Sequence, residues 1–144
     1  MEQNYKIDLH MHTTVSDGTD TPEEILAHVK EADIALCAVT DHDAVKAGRI
    51  IPALLAEGDP AFLTGAEFSC RDEEGKYHIL GYGYDPASPA INGVVELGHG
   101  YRIKKMNMRI DFLRSEHFAR LPAGMKFIIT TRAEPSVMPP LQML

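Results

Sequence analysis

Three short apolar runs in this chain each end in imidazole or carboxylate side chains, and helical patterns separate them. Tyr5-Lys-Ile-Asp-Leu9 alternates apolar and polar residues as a strand does and runs into His10-Met-His12. Ala35 to Val39 suits a strand buried on both faces and ends in Thr40-Asp-His-Asp43. Ala61 to Ala66 is the third strand and ends at Glu67. Strand and helix in alternation imply an α/β fold with a parallel sheet, which gathers the C-terminal ends of its strands on one face. Residues far apart in sequence are thereby expected at one site.

The connecting segments carry their own signals. Ser16-Asp-Gly-Thr-Asp20 is turn chemistry, and Thr21-Pro-Glu-Glu24 opens a helix with Thr as N-cap, Pro at the first position and Glu three residues on. Ile25, Leu26, Val29 and Ala32 line one face of it. A second helix is predicted over Ala44 to Glu57, with Val45, Ile50, Ile51 and Leu54 apolar, ended by Gly58-Asp-Pro60. Asp72-Glu-Glu-Gly75 has the residues of a hairpin turn, and a fourth strand from Tyr77 to Tyr82 carries His78. A long polar helix follows from Ala90 to about His117, with Ile103, Met106, Ile110 and Leu113 spaced three to four apart. Its basic stretch Arg102-Ile-Lys-Lys105 is expected to be a solvated face. Beyond Phe118 neither a helical nor a strand period remains.

The candidate ligands set the chemistry. His10 and His12 point to one side of an extended segment and can chelate one ion, with Met11 pointing away. Asp17 can reach back over the same face, or simply form its turn. His42 comes from the second strand end. Asp41 beside it either fixes the tautomer of that imidazole or caps the following helix. Glu67 would be unfavourable to bury unpaired, which a bound cation would offset; its other reading is a solvated strand end. His78 is a ligand or a hydrogen-bonded core histidine. His28, His99 and His117 fall on helices and outside the site. Imidazole and carboxylate together suit zinc, manganese or iron, and Cys37 and Cys70 lack the spacing of a thiolate site.

Together Ile7-Asp-Leu-His-Met-His12, Ser16-Asp-Gly18, Val39-Thr-Asp-His-Asp43, Gly65-Ala-Glu-Phe-Ser69 and Tyr77-His-Ile-Leu-Gly81 resemble the PHP (polymerase and histidinol phosphatase) family, and within it the stand-alone bacterial phosphoesterases. The resemblance implies the N-terminal portion of a distorted (β/α)7 barrel, with a long helix after the fourth strand. It implies a trinuclear centre in which His10, His12 and Glu67 hold one divalent ion, Glu67 and His78 a second, and Asp17 and His42 a third. It further implies hydrolysis of phosphate mono- or diesters of nucleotides, RNA ends or similar small substrates by metal-activated hydroxide. Residues 1–117 are expected to form this first part and 118–144 an atypical tail.

Family members complete the site with a histidine and an Asp-x-His pair from the second half of a barrel of about 200–250 residues. This chain of 144 residues has no histidine after His117 and no aspartate after Asp111. The expectation is therefore a truncated or frame-disrupted product, or a fragment, with a catalytically inactive metal-binding remnant as the alternative. A metal-dependent amide or cyclic-ester hydrolase is disfavoured because Lys46 and Lys76 are poorly placed to serve as a carbamylated ligand. The formal net charge of −7 disfavours long duplex nucleic acid as a partner. No apolar run approaches the roughly 18–20 residues of a membrane span, and the N-terminus lacks the order of a secretory signal, so a cytoplasmic location is expected.

Overall fold

A computed structural model describes residues 5–112. Leu113 to His117 of the expected helix and the tail over 118–144 lie outside the described residues. The elements run β1 (Lys6–Met11), α1 (Pro22–Glu31), β2 (Ile34–Val39), α2 (Ala47–Leu54), β3 (Ala61–Arg71), β4 (Lys76–Tyr82) and α3 (Pro89–Phe112). One sheet holds the strands in the order β1-β2-β3-β4, with β1, β2 and β3 parallel and β4 antiparallel to β3. This curled α/β half-barrel, followed by a long helix, is the architecture that the sequence implies.

Helix α1 starts where its chemistry dictates. The Thr21 side chain accepts from the Glu24 N–H, the Glu24 carboxylate accepts from the Thr21 N–H, and Pro22 occupies the first turn. Its buried face presents Leu26 and Val29. Leu26 joins Val39, Ala47 and Ile51 in the core, with Met11, Ile25, Leu55 and Phe62 packed against them. Met11 thus turns away from its two histidine neighbours, as expected.

Three elements depart from the sequence reading. Helix α2 runs over Ala47–Leu54 rather than Ala44 to Glu57, and before it Asp43 stands in a left-handed backbone conformation (φ 46°). Strand β3 does not stop at Glu67 but runs to Arg71. Its first part pairs with β2 (Leu36 with Ala61 through Val39 with Thr64), and its second forms a hairpin with β4 (Gly65 with Tyr82 through Arg71 with Lys76). Phe68-Ser-Cys-Arg71 alternates apolar and polar as a half-exposed hairpin strand should. Lastly, α3 has no buried residue, so its apolar positions form no buried face among the described residues.

Candidate metal centre

Each strand delivers its ligand-type residues by a different route. His10 lies in β1 and His12 just beyond its end. The segment after His12 is folded back by Ser16 N–H and Gly18 N–H, both donating to the Thr13 carbonyl (3.0 and 2.9 Å). A side chain on Gly18 would collide with the His12 carbonyl, so this turn, which carries Asp17, requires glycine by close approach.

Asp41 takes neither of its two expected roles. Its buried carboxylate accepts from Thr13 N–H (2.7 Å), Thr13 hydroxyl (2.8 Å) and Ser16 hydroxyl (2.7 Å), tying the Asp17 turn to the end of β2. Helix α2 is capped from Lys46 without a side-chain bond. The carboxylate therefore acts on the loop carrying Asp17, not on the neighbouring imidazole. Thr13 and Ser16 were invisible as site-builders because hydroxyls beside a turn usually serve the turn alone.

His42 follows, joined by a parallel bridge to Glu67, with Asp43 N–H donating to the Glu67 carbonyl (2.9 Å) and Glu67 N–H to the Asp41 carbonyl (3.2 Å). Glu67 sits in the middle of β3. His78 reaches the same end from an antiparallel strand, opposite Ser69, so hairpin geometry and not a parallel strand end delivers it.

Four imidazoles converge on Glu67, whose side chain is 7% exposed. His10 Nε2 lies 3.1 Å and His12 Nε2 3.2 Å from Oε2, His42 Nδ1 3.7 Å from the same oxygen, and His78 Nδ1 2.6 Å from Oε1. Asp17 stands 3.5 Å from His12 Nδ1 and 3.6 Å from His42 Nε2. The His12 and His42 rings stack with centroids 4.8 Å apart, and His78 meets His42 edge-on at 4.8 Å. Burial pushes the Glu67 carboxyl up, but bonding to His10 and His78 and the charge on His42 and His78 outweigh it, leaving it below its ordinary value.

Three donor sets emerge: His10, His12 and Glu67; His12, Asp17 and His42; and His42, Glu67 and His78, with the ligand atoms of each set within 4.8 Å of one another. The six ligand candidates read from sequence, His10, His12, Asp17, His42, Glu67 and His78, all lie in these sets, and Asp41 lies outside them. His12 Nδ1 and His42 Nδ1 are buried without a hydrogen-bond partner among the described residues. Buried polar atoms are rarely left so, and imidazole nitrogens set among carboxylates have the chemistry of divalent-cation ligands. The donors fit such an ion.

Sequence reasoning missed Arg102. Its side chain is still 46% exposed, yet its guanidinium also binds Asp43 Oδ2 through Nε (3.0 Å) and Nη2 (2.7 Å). Burial raises the Asp43 carboxyl, but hydrogen bonds from Ser69 and the charge of Arg102 hold it below its ordinary value. Only tertiary contact shows this pairing, because the two residues are 59 apart.

The PHP domain model matches residues 8–121, and the chain belongs to that family. It is 40% identical over 85 residues to a 3',5'-nucleoside bisphosphate phosphatase of Chromobacterium violaceum, a match covering 59% of this chain and 30% of that protein. It is 38% identical over 97 residues to the 5'-3' exoribonuclease Rnm of Salmonella typhimurium, covering 62% and 32%. In structure it is similar to a Chromobacterium violaceum protein described as an amidohydrolase with bound sulfate, with a TM-score of 0.66 and 34% identity over 72% of this chain and 36% of that one. The chain spans about a third of the length of the curated relatives it matches.

Proposed function

We propose that this chain carries the divalent-metal centre of a PHP phosphoesterase acting on phosphate mono- or diesters of nucleotides or RNA ends. The observation that carries the reading is the convergence of His10, His12, His42 and His78 on the buried Glu67 carboxylate, with two buried imidazole nitrogens making no hydrogen bond among the described residues. The relatives' activities, on a nucleoside bisphosphate and on RNA, support the substrate class.

In this reading His10, His12 and Glu67 hold one ion, Glu67 and His78 a second, and Asp17 and His42 a third. Divalent ions held there would lower the pKa of a water and neutralise charge on phosphate oxygens. The chain's own part is to hold the ligands in place. The parallel bridge fixes His42 against Glu67, and Asp41 fixes the turn bearing Asp17. An open cleft beside His42 and His78, lined also by Arg71, Lys76, Tyr101 and Lys105, offers cations and an aromatic ring to a nucleotide phosphate.

The test is turnover by the manganese-loaded chain of a generic phosphate monoester and a nucleotide 3',5'-bisphosphate, beside its metal content. Hydrolysis that disappears in Glu67→Gln supports the proposal. That variant should also bind manganese at least about 100-fold more weakly, since loss of a mere supporting partner already lowers metal affinity about 10–100-fold. The alternative is a metal-holding module without catalysis. Tight binding without turnover selects it, and absence of both overturns the metal reading.

A further inference from the structure

Asp43 sits where three ligand-bearing segments meet. It directly follows His42, and its Oδ1 accepts the Ser69 N–H at 2.8 Å. Ser69 lies two residues beyond Glu67 and pairs with His78 across the hairpin. The Asp43 N–H meanwhile donates to the Glu67 carbonyl. Asp43 thus touches all three members of the His42, Glu67 and His78 set, following His42 in the chain, bonding the Glu67 carbonyl through its own N–H, and holding through its carboxylate the Ser69 backbone that faces His78.

What holds that carboxylate comes from outside the sheet. Arg102 on α3 reaches Asp43 Oδ2 with two nitrogens, and the pair is well shielded on the Asp43 side, whose side chain is 6% exposed. Helix α3 comes close at one point. A Cβ on Gly98 would stand 3.2 Å from the Asp43 carboxyl carbon and 3.3 Å from Oδ1, a distance at which only glycine leaves the carboxylate undisturbed. Gly98 and Arg102 are four residues apart on the same helix and so lie one turn from each other. A buried carboxylate losing its cation would be left uncompensated and would move.

We propose that Arg102 is a positioning residue for the His42, Glu67 and His78 set, acting through Asp43 and Ser69. The inference rests on the metal reading given above, in which this donor set spans the ion of Glu67 and His78 and the neighbouring ion of His42. It makes α3 a strut of that one set, whereas the His10 and His12 end is tied to the sheet through Met11 and Thr40 instead.

The experiment compares the 144-residue chain with Arg102→Met, Arg102→Lys and Asp43→Asn. Manganese titration and metal content report the ions, and histidine-ring NMR of metal-free protein reports the imidazoles. In Arg102→Met the weakest-held ion should loosen by about 10–100-fold, as for other supporting partners of ligands. The ring signals of His42 and His78 should shift more than that of His10, which meets the set only through Glu67. Arg102→Lys, which keeps a cation facing Asp43, should recover part of the loss. Wild-type stoichiometry, affinity and ring signals in Arg102→Met, with only a lowered melting temperature, would overturn the proposal. If Arg102→Met does not fold, Asp43→Asn and Arg102→Lys decide by the same two readouts. If the wild-type chain takes up no manganese, the metal reading fails, while ring shifts in the variants separately report whether Arg102 positions the histidines.

Discussion

Tyr84 shows how one side chain outside the ligand cluster supports the strand that carries it. Its hydroxyl donates to the Gly65 carbonyl at 2.7 Å, next to the point where β3 exchanges its parallel partner for its antiparallel one. Burial, aided by the negative charge of Asp41, pushes the phenol up to about 12 from its ordinary 10.0. A raised folded value means the unfolded chain ionises first as pH rises. The contribution of Tyr84 to stability is therefore complete below pH 10.0 and is lost as pH rises through about 12. Denaturant midpoints measured across this window should fall more steeply for wild type than for Tyr84→Phe, and parallel slopes would refute the assignment. At lower pH Tyr84→Phe should be the less stable protein, since it leaves a carbonyl without its donor, at about 1–3 kcal/mol if no water replaces it.

At the scale of elements, α1 owes its start to local chemistry and so offers the clearest variant. Thr21→Ala removes one half of the reciprocal cap and should lower stability by about 1 kcal/mol, read as a lower urea midpoint at unchanged slope. A changed slope would show that more than the cap is lost. This helix was legible in the sequence because its signals are all local: Thr21, Pro22 and Glu24 act on backbone within one turn. The His10-Met-His12 pair and Glu67 were legible for the related reason that short apolar strands bracket them. What local pattern does not contain is partner choice. The alternation at Phe68-Ser-Cys-Arg71 permits a strand but does not say that it turns back as a hairpin. Asp41 beside His42 looks like its partner, yet it bonds Thr13 and Ser16 across 28 and 25 residues. Arg102 in a basic helical stretch resembles any solvated cation until Asp43 is brought against it.

For the molecule as a whole, the described residues have more apolar surface than they cover. Among the described residues, strands β1 and β4 each pair on one side only. Tyr5, Ile7 and Ile79 are 60%, 58% and 54% exposed on or beside them, and α3 presents Val94, Leu97 and Met108 at 52%, 58% and 63%. Open strand edges are templates for pairing, and exposed apolar side chains favour any contact that removes them from water, at about 25 cal/mol per Å² buried. The net charge of −7 opposes association only weakly once salt shortens the reach of repulsion to about 8 Å at physiological strength. Sedimentation of the 144-residue chain should therefore show a mass that increases with protein concentration, and more so with added salt. Ile7→Lys and Val94→Lys place charges on the β1 edge strand and on α3, away from the histidine cluster. They should reduce the association without altering manganese uptake. A wild-type chain that stays monomeric across the concentration range would show that these surfaces are too dispersed to act as a contact. Association insensitive to both substitutions would place the contact elsewhere on the molecule.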